Sequence, residues 1–150
     1  MNVLVSACLA GVNCRYNGEG AKAPGLKELM ELCHLVPVCP EILGGLATPR
    51  VPAERSGSRV ITRTGQDVTA AYERGAGETA RLGELFGCRY ALLKERSPSC
   101  GRGQIYDGTF SGRLTAGDGV TAGLLAGRGI RVFGESQVEE LIEELKRDQR

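Results

Sequence analysis

Asn2-Val3-Leu4-Val5-Ser6-Ala7-Cys8 opens the chain with a short apolar run that breaks into a cysteine-bearing loop, and the pattern recurs downstream. Leu35-Val36-Pro37-Val38 runs into Cys39-Pro40-Glu41, and Arg89-Tyr90-Ala91-Leu92-Leu93-Lys94 leads to Ser97-Pro98-Ser99-Cys100. Ile130-Arg131-Val132-Phe133 is a fourth run of the same kind. A half-exposed antiparallel strand alternates apolar and polar residues, whereas a parallel strand covered on both faces is apolar nearly throughout. The four runs fit the second pattern.

Helical periodicity fills the intervals. Leu26, Leu29, Met30 and Cys33 follow helical spacing after Pro24, at a plausible first position. Asp67 is placed to cap a long helix carrying Val68, Ala71, Tyr72, Leu82, Leu85 and Phe86, and Asp118 a shorter one carrying Val120, Leu124 and Leu125 that stops at Gly129. Ser136-x-x-Glu139 reads as a capping box ahead of Val138, Leu141, Ile142 and Leu145. The alternation of strand and helix predicts an α/β fold: a single domain with an open, mostly parallel sheet and helices on both faces, Rossmann-like in its three layers. Two stretches stand outside it. Thr48 to Gly65, with a small hairpin through Arg59 to Arg63, and the glycine-rich Gly101 to Gly119 read as long loops, which are usually functional or disordered.

A chain of 150 residues supplies one core rather than two, and 41% apolar against 25% charged residues excludes a charge-rich disordered chain. Lys and Arg total 19 against 18 Asp and Glu, so no net charge is available to hold a polyanion, and nucleic acid is disfavoured as a partner. The first residues lack a basic segment ahead of their apolar run, and no apolar run reaches the roughly 18 residues that span a bilayer. The expectation is a cytoplasmic protein with no membrane partner. The six cysteines fall below the roughly 8 to 10% of a disulfide scaffold. None forms a C-x-x-C pair, so neither a zinc ribbon nor a thioredoxin-type dithiol is written here.

In an open parallel sheet, ligands bind beyond the carboxyl ends of the strands. Cys8, Cys39 and Cys100 each follow a different strand and should converge on that edge. Cys14 lies in the first loop and is a candidate to join them, whereas Cys33 and Cys88 read as small buried hydrophobes. Three convergent thiolates suit a soft metal centre with one open coordination position, either zinc or an iron–sulfur cluster. A single zinc would draw the sulfurs to roughly 3.8 Å from one another, and a cubane needs a wider triangle.

Glu41 is a candidate general acid or base at the same edge, and Ser97 and Ser99 are candidates for substrate binding or proton relay. Arg50 and Arg96 could clamp an anionic or carbonyl-bearing ligand, and Lys94 could hydrogen-bond it. Gly18-x-Gly20-x-x-Ala23 imitates a dinucleotide fingerprint without directly following a strand, and His34, the one histidine, reads as a helix cap.

The motifs together resemble a known family. Val5-Ser6-Ala7-Cys8-Leu9-Ala10-Gly11-Val12-Asn13-Cys14-Arg15-Tyr16-Asn17-Gly18, Val36-Pro37-Val38-Cys39-Pro40-Glu41 with Gly44-Gly45-Leu46 and Thr48-Pro49-Arg50, Lys94 to Gly101, and Ile105-Tyr106-Asp107-Gly108 look like the bacterial DUF523 family, in order, from Asn2 to about Glu135. Ala10 and Asn17 depart from the family's usual Leu and Asp, and neither touches a proposed ligand. The resemblance implies a [4Fe-4S] cluster held by Cys8, Cys39 and Cys100, with its fourth iron free to take sulfur from a thiolated pyrimidine such as thiouracil. It also implies Glu41 and a serine of the Ser97-Pro98-Ser99 turn as catalytic helpers. Two other readings remain open on the residues alone: a zinc hydrolase with three cysteine ligands, and a non-catalytic metal or thiol protein that senses redox state.

Overall fold

The computed structural model describes residues 1–149. Its central sheet joins four parallel strands, β1 (Asn2–Ser6), β2 (His34–Val38), β5 (Tyr90–Leu93) and β8 (Arg131–Gly134), in the spatial order β2-β1-β5-β8. Val3 pairs with Leu35 on one side and Tyr90 on the other, and Leu92 pairs with Phe133. All four apolar runs are thus parallel strands.

Strand residues alternate between two cores. Val3, Val5, Tyr90, Leu92 and Phe133 pack with Leu26 and Leu29 of α1 (Leu26–Leu32) and with Val138, Leu141, Ile142 and Leu145 of α5 (Val138–Asp148). Leu4, Ala91 and Leu93 pack on the other face with Ala80 of α3 (Thr69–Leu85) and with Ala122 and Leu125 of α4 (Val120–Gly127). Both faces are covered, as the continuous apolar runs require. Cys33 and Cys88 lie one in each core, as inert hydrophobes should.

The chain steps from β1 to β2 on one side and later to β5 on the other side of β1. The order therefore reverses between β1 and β5, and the crevice beyond their carboxyl ends is the switch point where such sheets bind ligands.

Both expected long loops carry hairpins. β3 (Ala53–Ser56) and β4 (Arg59–Thr62) pair antiparallel about Gly57-Ser58, so Arg59 to Thr62 is one arm of the hairpin rather than the whole of it. β6 (Gln104–Tyr106) and β7 (Leu114–Ala116) pair within the glycine-rich stretch.

Several local expectations shift. α1 starts after Gly25, whose φ of +81° only glycine adopts freely, so Pro24 precedes the helix; Met30 points to solvent, and Cys33 lies past the helix end. Val68, not Asp67, is the cap residue of α3; Asp67 lies just before it and accepts the Thr69 N–H at 2.9 Å, while Leu85 and Phe86 are exposed and the buried face includes Tyr72, Gly75, Ala76, Thr79 and Ala80. Asp118 turns away from α4 to accept from the Gly103 N–H at 2.7 Å and to pair with Arg102, leaving Gly119 at the cap. At α5, Gln137 accepts from the Gly134 N–H at 3.0 Å, while Ser136 donates to Glu95 instead of forming the expected box with Glu139. His34 begins β2 rather than capping a helix.

Candidate active site

A cavity of about 390 Å³ opens at the switch point, and Cys8, Cys14, Cys39 and Cys100 all line it. That volume lies within the usual range for small-ligand pockets. Each thiol is set by a strand end. Cys8 sits in a tight turn over Ala7–Ala10 directly after β1, closed by Gly11 at φ +96°, and its carbonyl accepts the Gly11 and Ala21 N–H groups. Cys39 follows β2 and precedes α2 (Pro40–Leu43), where Pro40 starts the helix without losing a needed N–H. Cys100 closes a turn in which Ser97 Oγ accepts the N–H groups of Ser99 at 3.0 Å and Cys100 at 3.1 Å. Ser6 ties the ends of β1 and β5 together, its Oγ accepting the Lys94 N–H at 2.9 Å.

Burial, reinforced by the neighbouring Cys39, pushes the Cys8 thiol up to about 11. Cys14 reaches about 12 for the same two reasons, and burial carries Cys100 to about 12 against an opposing hydrogen bond with Ser6. Left without a metal, these groups are protonated thiols at neutral pH, and any cation they bind must displace protons. Among the described residues, no three His, Cys, Asp or Glu side chains converge on a single-ion position. The thiols of Cys8, Cys39 and Cys100 are soft donors that share one cavity, a donor set that suits an iron–sulfur cluster.

Glu41, in the first turn of α2, enters the cavity beside Cys39 and is held from both sides. Tyr72 donates its hydroxyl to Oε1, and Arg50 reaches Oε2 at 3.2 Å. The Arg50 side chain is only 8% exposed; it also donates to the carbonyls of Cys14 at 3.0 Å and Ala47 at 3.2 Å, while its Nε–H has no partner among the described residues. This makes Arg50 a brace for Glu41 and the Cys14 loop. Burial, then the Glu41 carboxylate, pushes the Tyr72 hydroxyl well above its ordinary range, so it stays protonated and donates. Tyr72 reaches Glu41 because α2 and α3 meet backbone to backbone. A Cβ at Gly44 would overlap the Ala71 carbonyl, and one at Gly75 the Pro40 carbonyl.

The remaining candidates divide. Ser97 lines the cavity, but Ser99 does not: it is buried, with its Oγ 2.8 Å from Thr121 Oγ1 of α4. Lys94 lines the cavity with its ammonium paired to Glu135 at 2.6 Å, and Arg96, at φ +68°, lines it with an exposed side chain. Tyr72 escaped sequence reasoning because its place on a helical stripe reads as core, and Ser6 because nothing in a serine that ends a strand tells that its hydroxyl ties two strand ends together.

Fold and site together define an open parallel α/β protein with a cysteine-lined cavity at its switch point. The chain belongs to the 2-thiouracil desulfurase family, whose model matches residues 3–137, and family membership places it among desulfurases. It is 42% identical over 150 residues to the uncharacterized protein YbbK of Bacillus subtilis (strain 168), covering 93% of this chain and 99% of YbbK. It superposes on a solved structure, the [4Fe-4S]-dependent thiouracil desulfidase TudS, with a TM-score of 0.91 at 47% identity, covering 97% of each chain.

Proposed function

We propose that this enzyme replaces sulfur by oxygen in a thiolated pyrimidine such as 2-thiouracil, using a [4Fe-4S] cluster held by Cys8, Cys39 and Cys100. The observation that carries the reading is the placement of these cysteines after three different strands around one cavity that also contains Glu41 and Ser97. When bound, the cluster supplies an iron without a protein thiolate, a Lewis acid with affinity for sulfur that polarises the carbon–sulfur bond.

The protein's own groups do the rest. Glu41, fixed between Tyr72 and Arg50, takes a proton from water as its oxygen adds to the carbon that bears sulfur; each carboxylate oxygen keeps a lone pair beyond those its two braces use. Ser97, whose oxygen already accepts two backbone N–H groups, has its hydroxyl proton free to donate to the heterocycle. Arg96 and Lys94 supply positive charge at the same wall. The balance is thiopyrimidine plus water giving pyrimidine plus hydrogen sulfide, with no electrons gained or lost. The near-neutral charge favours a small thiolated base over a polynucleotide.

The test is anaerobic reconstitution with iron and sulfide followed by incubation with 2-thiouracil or 4-thiouracil. Sulfide and uracil should appear in equal amounts, and Glu41→Ala should keep its iron while losing turnover. Reconstituted protein inert toward both thiobases but active on a thiolated polynucleotide would overturn the substrate assignment.

A further inference from the structure

The cavity is lined by two kinds of residue. Thiols, Glu41 and Ser97 come from the strand ends, whereas Tyr106 and Phe110 come from the β6–β7 hairpin, and Glu54 and Arg63 from β3 and the residue after β4. The second group carries none of the desulfuration chemistry, yet it is the more elaborately built.

Phe110 adopts φ +56°, a left-handed conformation that bulky residues rarely take. Such strain persists only where surrounding contacts over-determine it. Here they do. Glu54 Oε1 accepts the N–H groups of Gly108 at 3.0 Å and Phe110 at 3.1 Å, bridging one hairpin to the turn of the other. Within the turn, Asp107 accepts the Thr109 N–H at 3.0 Å and its own N–H bonds the Arg113 carbonyl at 3.0 Å. Gly108 is pressed so closely on β3 that a Cβ would lie 3.1 Å from both the Arg55 carbonyl and the Ser56 side chain.

The ring so presented belongs to neither apolar core, although it is half-buried and lines the cavity. The Arg63 guanidinium lies 5.5 Å from its centroid. An aromatic side chain withheld from the core, held in a strained backbone and accompanied in the cavity wall by a cation is suited to a flat, π-bearing ligand.

We propose that Phe110, with Arg63 beside it, is the stacking surface for the substrate's heterocycle and makes the site select planar rings over puckered ones. The choice of heterocycle rests on the desulfurase reading above. Stacking is sequence-independent in nucleic-acid sites because every base has a π face, and the same physics holds a free base here.

Uracil and its puckered analogue 5,6-dihydrouracil serve as unreactive probes of reconstituted protein, with dissociation constants measured by calorimetry and sulfide release from 2-thiouracil assayed in parallel. Wild-type protein should bind uracil roughly tenfold tighter than dihydrouracil. Phe110→Leu should weaken uracil roughly tenfold and abolish the discrimination, and Phe110→Tyr should retain both, with iron content and melting temperature unchanged in each. Arg63→Gln should weaken uracil by a smaller factor. Wild-type affinity in Phe110→Leu, no uracil binding by wild-type protein, or a loss in Phe110→Leu that travels with lost iron or a lowered melting temperature would each overturn the stacking assignment. Wild-type protein that discriminates between the probes through Phe110 but releases no sulfide would leave the assignment standing and sink the desulfurase reading instead.

Discussion

Glu41 does not hold its position alone, since Tyr72 and Arg50 grip one oxygen each. Removing the carboxylate's base function with Glu41→Gln should cost roughly 10²-fold or more in kcat while iron content stays at the wild-type level. Tyr72→Phe removes one grip without removing the base, so kcat should fall by a smaller factor with KM little changed; a Tyr72→Phe enzyme with wild-type kcat would show that Arg50 positions Glu41 unaided. The cysteines divide cleanly in expectation. Cys8→Ala, Cys39→Ala and Cys100→Ala should lose most of the charge-transfer absorption of reconstituted protein, and Cys33→Ala and Cys88→Ala should keep it, because neither of those two thiols lines the cavity. Equal losses at all five would indicate general unfolding. The ligand candidates were legible because a cysteine just past an apolar run is fixed by topology alone. Tyr72 was not, because its partner lies 31 residues away and only the close approach of two glycines brings them together.

At the scale of elements, the seam between α2 and α3 is the most exacting contact in the fold. Gly75→Ala would drive a Cβ into the Pro40 carbonyl, and it should destabilise the protein by about 1–3 kcal/mol and lower turnover by displacing Glu41. Gly77→Ala, on the same helix with open space around it, should instead stabilise by up to about 1 kcal/mol. Urea unfolding of the two variants checks both signs. A second contact reports on pH. Burial disfavours ionised Glu95, but hydrogen bonds from Ser136 outweigh it and hold the carboxyl below its ordinary range. A lowered folded pKa contributes stability above the unfolded value, near 4.3, that is lost as pH falls through the folded one. The stability gap between wild type and Glu95→Gln should therefore be open at pH 7 and close in acid; a gap independent of pH would contradict the assignment. The sheet strands were readable because burial on both faces leaves continuous apolar runs. The two hairpins were not, since arms of three or four residues with mixed polarity carry no period, and the caps at Asp118 and Ser136 failed because both side chains found distant partners, Gly103 and Glu95.

For the whole molecule, one topological fact organises the account: the strand order reverses between β1 and β5, and the cavity at that reversal gathers residues from the ends of β1, β2 and β5. No helix is long and apolar enough to cross a membrane among the described residues, and the formal net charge is +1. The central claim is that this cavity exchanges sulfur for oxygen from water without redox change. Anaerobically reconstituted protein, given 2-thiouracil in ¹⁸O-labelled water with no added reductant, tests it directly by mass spectrometry. The account expects uracil carrying one labelled oxygen at the former sulfur position and one sulfide per uracil. Unlabelled uracil, or sulfide released only when a reductant is supplied, would contradict it.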